Sequence, residues 1–186
     1  MEDTTHLTRL ADASTKIVAA IAELASSSLP SDDAALARVC ALLDLLQPEG
    51  VMHLLGMRRS VRSVTTLPPP RTTLLRSFQQ LHKPNGKAKL TVGARAHCKH
   101  CHRSQCSWWG SGNGSEPTKN ARAVEVAHRI LDAAVWLNIH LLPHDVPVME
   151  IRMAEGYGLR WSGDGTFFRG FLEPQMEDGH EKGWRH

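Results

Sequence analysis

Between Val51 and Ser115 the chain has no Asp or Glu, although eleven Lys and Arg residues fall there and give that span a charge of +11. The flanks are acidic: residues 1–50 carry −5 and residues 116–186 carry −3. Such segregation fits a phosphate-bearing partner, and it fits equally a basic third that docks on the acidic thirds of its own chain. Nowhere is there an apolar run of about 18 residues, which excludes a membrane-spanning helix and a membrane partner of that kind. No G-x4-G-K-[ST] occurs, so a P-loop nucleotide site is excluded. The opening residues Met1–Thr5 are acidic and polar, unlike a secretory or mitochondrial targeting segment. The four cysteines lack the spread of a disulfide framework: Cys40 is isolated and Cys98, Cys101 and Cys106 lie within nine positions. Reduced thiols place the chain inside the cell, in cytoplasm or nucleus.

What is present is enough for one domain with a helical appendage, since 186 residues can bury a sizeable core without staples. Helical spacing runs from Leu7 to Leu24 and again from a Ser31 cap through Leu36, Val39, Cys40, Leu43 and Leu46 to Pro48, with Cys40 read as a core residue. A third short helix follows through Met57. The three prolines of RRSVRSVTTLPPPRTT favour an extended linker. After it come a short helix over Thr73–His82, a strand over Lys87–Val92, and a long helix capped by Ser115 or Thr118 with Ala123, Val124, Ala127, Ile130, Leu131, Ala134 and Val135 on one face. Leu137–Leu142 and Val146–Met153 read as an antiparallel pair around PHDVP, then Tyr157–Ser162 and Thr166–Leu172 as a hairpin turned by GDG. The expected architecture is α+β, a helix on a small antiparallel meander, with boundaries at 1–57 (helical segment), 58–73 (Pro-rich linker) and 74–186 (α+β domain).

Chemistry concentrates in two places. The first is His97–Ser115, HCKHCHRSQCSWWGSGNGS. Here Cys98, Cys101, His102 and Cys106 offer thiolate and imidazole donors of the kind zinc takes, although the usual second ligand pair is missing. Cys98, Cys101 and His102 also match a c-type haem spacing, which the N-terminus does not support with an export route, so no cofactor other than zinc is carried forward. The same stretch suits an anion: Arg95, His100, Arg103, Lys119 and Arg122 supply charge, the glycine run precedes a helix N-terminus, and Trp108 or Trp109 can stack on a base if a strand points them to opposite sides. The second place is the strand pair. If Leu142 pairs with Val148, period two gathers Asn138, His140, Glu150 and Arg152 on one face and apolar residues on the other. His140, Glu150 and Arg152 are the catalytic candidates, with Arg160 and Glu155 nearby; cross-strand ion pairing accounts for the same residues without catalysis.

The motifs GYGLRW at Gly156–Trp161 and FRGFLEPQMEDGHEKGWRH at Phe168–His186 resemble a family of uncharacterised eukaryotic proteins, over about the C-terminal half from Thr91 onward. That resemblance implies no activity, cofactor or fold. The leading expectation from the residues is therefore an intracellular module that binds nucleic acid or a nucleotide-like, phosphate-bearing ligand through the basic central loop. The alternatives are an enzyme built on His140, Glu150 and Arg152, and a zinc-stabilised interaction module.

Overall fold

The computed structural model describes residues 32–104 and 107–174, together with Thr15, Val18, Ala19 and Ala22. The chain divides into two units, 1–55 and 56–186. In the first, helix α1 spans Asp32–Leu54 and is interrupted at Gln47, whose positive φ precedes Pro48. Pro48 cannot donate a helical hydrogen bond and restricts the residue before it, so the expected stop becomes a break inside one helix. Leu46 is buried, while Leu36, Val39 and Leu43 are exposed, and so is Cys40, which the helical spacing placed in the core. The helix expected over Leu7–Leu24 lies almost wholly outside the described residues.

The second unit is a helical layer on a four-stranded antiparallel sheet, the α+β class read from the sequence. Its helices are α2 (Arg71–Gln79), α3 (Val92–Arg103) and α4 (Glu116–Asp132). Its strands are β1 (Ala134–Leu142), β2 (Val146–Met153), β3 (Gly158–Ser162) and β4 (Phe168–Leu172), each paired with its sequence neighbour. Ser115 caps α4 by accepting from the Thr118 amide, and Ala123, Val126, Ala127 and Ile130 are the positions it buries. Ala134 and Val135 belong to β1 instead, because the helix ends at Asp132.

One structural element was not foreseen. Residues Lys87–Val92 do not form a strand: Leu81 and Thr91 make a single bridge, after which the Thr91 side chain accepts from the Ala94 amide and starts α3. A capping hydroxyl followed by Ala94 and His97 on one face favours helix there. Gly93 lets α3 approach α2, since a Cβ at that position would lie 2.2 Å from the ring of Phe78. Phe78 meets Phe168 and Phe171 edge-on at 4.7 and 6.1 Å, which joins the helical layer to β4. Burial of a side chain of this size stabilises by about 1.5–3 kcal/mol.

The outer edge of β1 is occupied by residues 56–64. The Arg58 amide donates to Leu137 O at 2.7 Å, the Leu137 amide to Gly56 O at 3.2 Å, the Val64 amide to Ile139 O at 2.8 Å and the Leu141 amide to Arg62 O at 3.1 Å. Part of the stretch read as a Pro-rich linker thus supplies backbone partners to the sheet. Pro69 also packs near Gly165 of the β3–β4 turn.

Candidate active site on the sheet face

Residues 134–162 fix the site by register. Leu142 pairs with Val146, not Val148, because Pro143–Asp145 closes the turn in three residues with His144 and Asp145 at positive φ. A slip of two leaves every side chain on its expected face. Met149, Ile151, Leu159, Trp161 and Phe171 are buried on the helix side. On the other side one cross-strand row holds Asn138, Glu150, Arg160 and Gly170, flanked by a row with His140, Val148 and Ser162 and a row with Trp136, Arg152 and Gly158.

Glu150 is the hub of this face. Its Oε1 accepts from Arg160 Nε at 2.7 Å and Nη2 at 2.5 Å, and His140 Nε2 lies 3.3 Å from the same oxygen. Arg152 Nη2 is 3.5 Å from Oε2. The carboxylate side chain is only 6% exposed, whereas His140 and Arg160 are 18% and 26% exposed. Glu150 therefore orients its neighbours from beneath, and His140 and Arg160 present the accessible surface. Arg152 Nη1 donates to Gly156 O at 2.7 Å and to Glu173 O at 3.0 Å; burial lowers its pKa from the ordinary value and the Glu150 charge opposes that. Two guanidiniums and an imidazole around one carboxylate leave positive charge unbalanced, which suits an anion. Beside the cluster, buried Asn138 is held by the segment at the sheet edge: its Nδ2 donates to Ser60 Oγ at 2.7 Å and its Oδ1 accepts from Ser63 Oγ at 2.8 Å.

The other candidates fall on the opposite side of the sheet or at its margin. Trp108 and Trp109 lie in a 3₁₀ turn, Ser107–Trp109, not a strand. Trp109 is buried and its Nε1 donates to Glu173 Oε1 at 2.7 Å; the same oxygen takes His100 Nε2 at 2.8 Å. Trp108 stacks on Tyr157 at 4.0 Å, with the Arg129 guanidinium 3.8 Å over its ring. Arg122 Nη1 donates to Asn113 O at 2.8 Å and so closes the glycine-rich loop onto α4. Arg95, His102 and Arg103 lie on α3, and Lys119 on α4. Cys98 donates to Gly112 O, and Cys101 lies against His97, with burial and then the neighbouring Cys98 pushing its thiol pKa up. Cys106 is outside the described residues, among which no group of three His, Cys, Asp or Glu side chains is placed to hold a metal ion. His97 is buried with its imidazole N–H on Trp109 O at 2.9 Å.

A family model described as the CdiA C-terminal tRNase toxin domain matches residues 80–173, just over half of the chain. The chain belongs to this family. That match overturns the resemblance to uncharacterised eukaryotic proteins: GYGLRW and the first residues of the C-terminal motif lie inside a toxin-domain match. Among solved structures, the toxic C-terminal tip of CdiA from Pseudomonas aeruginosa in complex with immune protein is 27% identical, with a TM-score of 0.44, over 52% of this chain and 98% of that one. No curated protein matches.

The matched span of this tRNase toxin domain contains His140, Glu150, Arg152 and Arg160 together, and leaves Ser60 and Ser63 outside it. Sequence reasoning gathered His140, Glu150 and Arg152 but did not give Arg160 its place as the closest partner of Glu150. The turn over Ala154–Tyr157, with Gly156 at positive φ, carried the signal, since pairing β3 to β2 across it puts Arg160 opposite Glu150. Ser60, Ser63 and Glu173 had no local signal.

Proposed function

We propose that the chain is an RNA endonuclease that cleaves tRNA on the open face of its sheet. The observation that supports this most strongly is the Glu150-centred cluster of His140, Arg160 and Arg152, which lies within the tRNase toxin match. Cleavage of an RNA phosphodiester needs a group to take the 2′-hydroxyl proton and cations to stabilise charge gathering on the phosphoryl oxygens. His140 takes the proton, held by Glu150 in an orientation that keeps its ring at the surface. Arg160 contacts the phosphate, and Arg152, anchored by two carbonyls, adds charge below it. The 2′ oxygen attacks phosphorus as the bond from phosphorus to the 5′ oxygen breaks. The products are a 2′,3′-cyclic phosphate and a 5′-hydroxyl, with the leaving oxygen recovering a proton from the imidazolium or from water.

The test is cleavage of bulk tRNA by the whole chain, with end-group analysis of the fragments. His140→Ala should lower the rate by roughly 10²–10⁴-fold and Arg160→Ala by roughly 10²–10³-fold, with circular dichroism unchanged in both. Intact tRNA after incubation with the wild-type chain, or a His140→Ala chain as fast as wild type, would overturn the reading.

A further inference from the structure

Helix α3 turns a second surface outward that the sheet-face chemistry does not use. Gly93, Ala94 and His97 are its buried positions. Arg95, Lys99 and Arg103 recur every fourth residue along it, with Lys99 and Arg103 exposed and Arg95 half-buried. The turn after α2 brings the Lys83 segment alongside: the Val92 amide donates to Gln80 O at 2.8 Å and the His82 amide to Leu90 O at 3.0 Å, which ties residues 80–82 to the start of α3. Among the described residues none of Lys83, Arg95, Lys99 and Arg103 takes part in an ion pair. Like charges four apart on a helix repel one another, and a cation in the first turn opposes the helix dipole. The first turn of α3 has no acid to offset this. Arg103 lies in the last turn, where the dipole favours a cation, so what stays unbalanced is the repulsion among the cations themselves, which a bound anion would relieve.

We propose that Lys83, Arg95, Lys99 and Arg103 form an exosite for the phosphate backbone of the RNA substrate, separate from the site of cleavage. Cations one helical turn apart are about 6 Å apart along the axis, the scale of neighbouring phosphates on a nucleic-acid strand. His97 of α3 meets Phe171 edge-on at 5.6 Å, and Phe171 pairs with Leu159 on the helix side of the sheet, away from Arg160. An RNA that touches both surfaces must pass around an edge of the sheet. A folded tRNA can do so, and a short oligonucleotide cannot. The exosite thus gives the enzyme a preference for large RNA independent of the sequence at the cut. This inference rests on the endonuclease reading for its kinetic part and not for its binding part.

The experiment compares the wild-type chain with the double variant Lys83→Ala and Lys99→Ala on whole tRNA and on a short oligonucleotide carrying the junction that the wild-type chain cuts. The variant should raise KM for tRNA tenfold or more, with kcat and the oligonucleotide kinetics held within twofold. In parallel, tRNA binding is titrated with salt in the His140→Ala background; the two substitutions should lower the slope of log K against log salt by about two. Unchanged KM and unchanged slope would overturn the exosite, as would an equal loss on both substrates, which would place the lysines in catalysis or folding. Should the wild-type chain cleave nothing, the endonuclease reading fails alone, and the salt slope still decides: a fall of about two supports the exosite, and no fall removes it.

Discussion

Glu150 stands between charges that would otherwise repel. With the carboxylate gone, Arg152 and Arg160 stand on adjacent strands with no other ion-pair partner among the described residues. Glu150→Gln should therefore lower stability by about 3–5 kcal/mol, read as a fall in the denaturation midpoint, and added inorganic phosphate should restore part of it by filling the same charge deficit. A midpoint within error of wild type would show that Glu150 does not hold the cluster. The residue scale is also where the sequence was most informative on one side of the sheet and least on the other. Period two sorts His140, Glu150 and Arg152 onto one face whatever even-numbered slip the turn imposes, so their meeting was legible despite the wrong partner for Leu142. Which side chain neutralises which was not, because that depends on Arg160 reaching across from a strand set by a separate turn. His100 reads as a source of charge for an anion and Trp108 or Trp109 as a stacking ring; His100 and Trp109 share one oxygen of Glu173, a partner 73 and 64 positions away.

At the scale of elements, α3 is the instructive case. Its sequence, VGARAHCKHCHR, has few apolar residues, and its Cys and His spacing invited a reading as a loop around a metal. The helical signal was the Thr91 cap with Ala94, His97 and Cys101 on one stripe. Helix α4 was legible because its apolar stripe is longer and unmixed. Two predictions belong here. Gly93→Ala puts a methyl into the Phe78 ring, and overpacking of this kind costs about 1–3 kcal/mol; combining it with Phe78→Leu should cost less than the sum of the two, and strict additivity would show that the contact does not govern the helix approach. The second concerns pH. Burial is the main cause holding the His97 pKa below its ordinary 6.5, and the same is true of His100. The unfolded chain takes up protons as pH falls through 6.5 while the folded domain does not, so the stability these histidines contribute is complete above 6.5 and is lost as pH drops below it. The urea midpoint should fall between about pH 7.5 and 5.5. His97→Gln keeps an N–H for Trp109 O without titrating, and should flatten that fall; an equally steep profile would assign the acid sensitivity elsewhere.

For the whole molecule, the α+β class and the order of strands followed from the alternation of patterns along the chain, while the role of residues 56–73 did not. Proline and arginine gave that stretch the texture of a linker, and the hydrogen bonds it makes to β1 come from backbone groups, which carry no sequence signature. A chain beginning at Gly56 should keep the β1 edge covered and unfold in one cooperative transition. One beginning at Pro70, which keeps α2 whole, should have a lower midpoint and aggregate with rising concentration, since the bare edge of β1 is a template for pairing; equal behaviour of the two would make the edge contacts dispensable. The strand order has a kinetic side as well. His140, Glu150 and Arg160 sit on three successive strands joined by short turns, so closing two hairpins is enough to bring them into line. Ser60 and Ser63, by contrast, reach Asn138 across 78 and 75 positions of chain. Local contacts form early and long loops close late. Refolding should accordingly assemble the Glu150 cluster in a fast phase and seat the serine cover in a slower one.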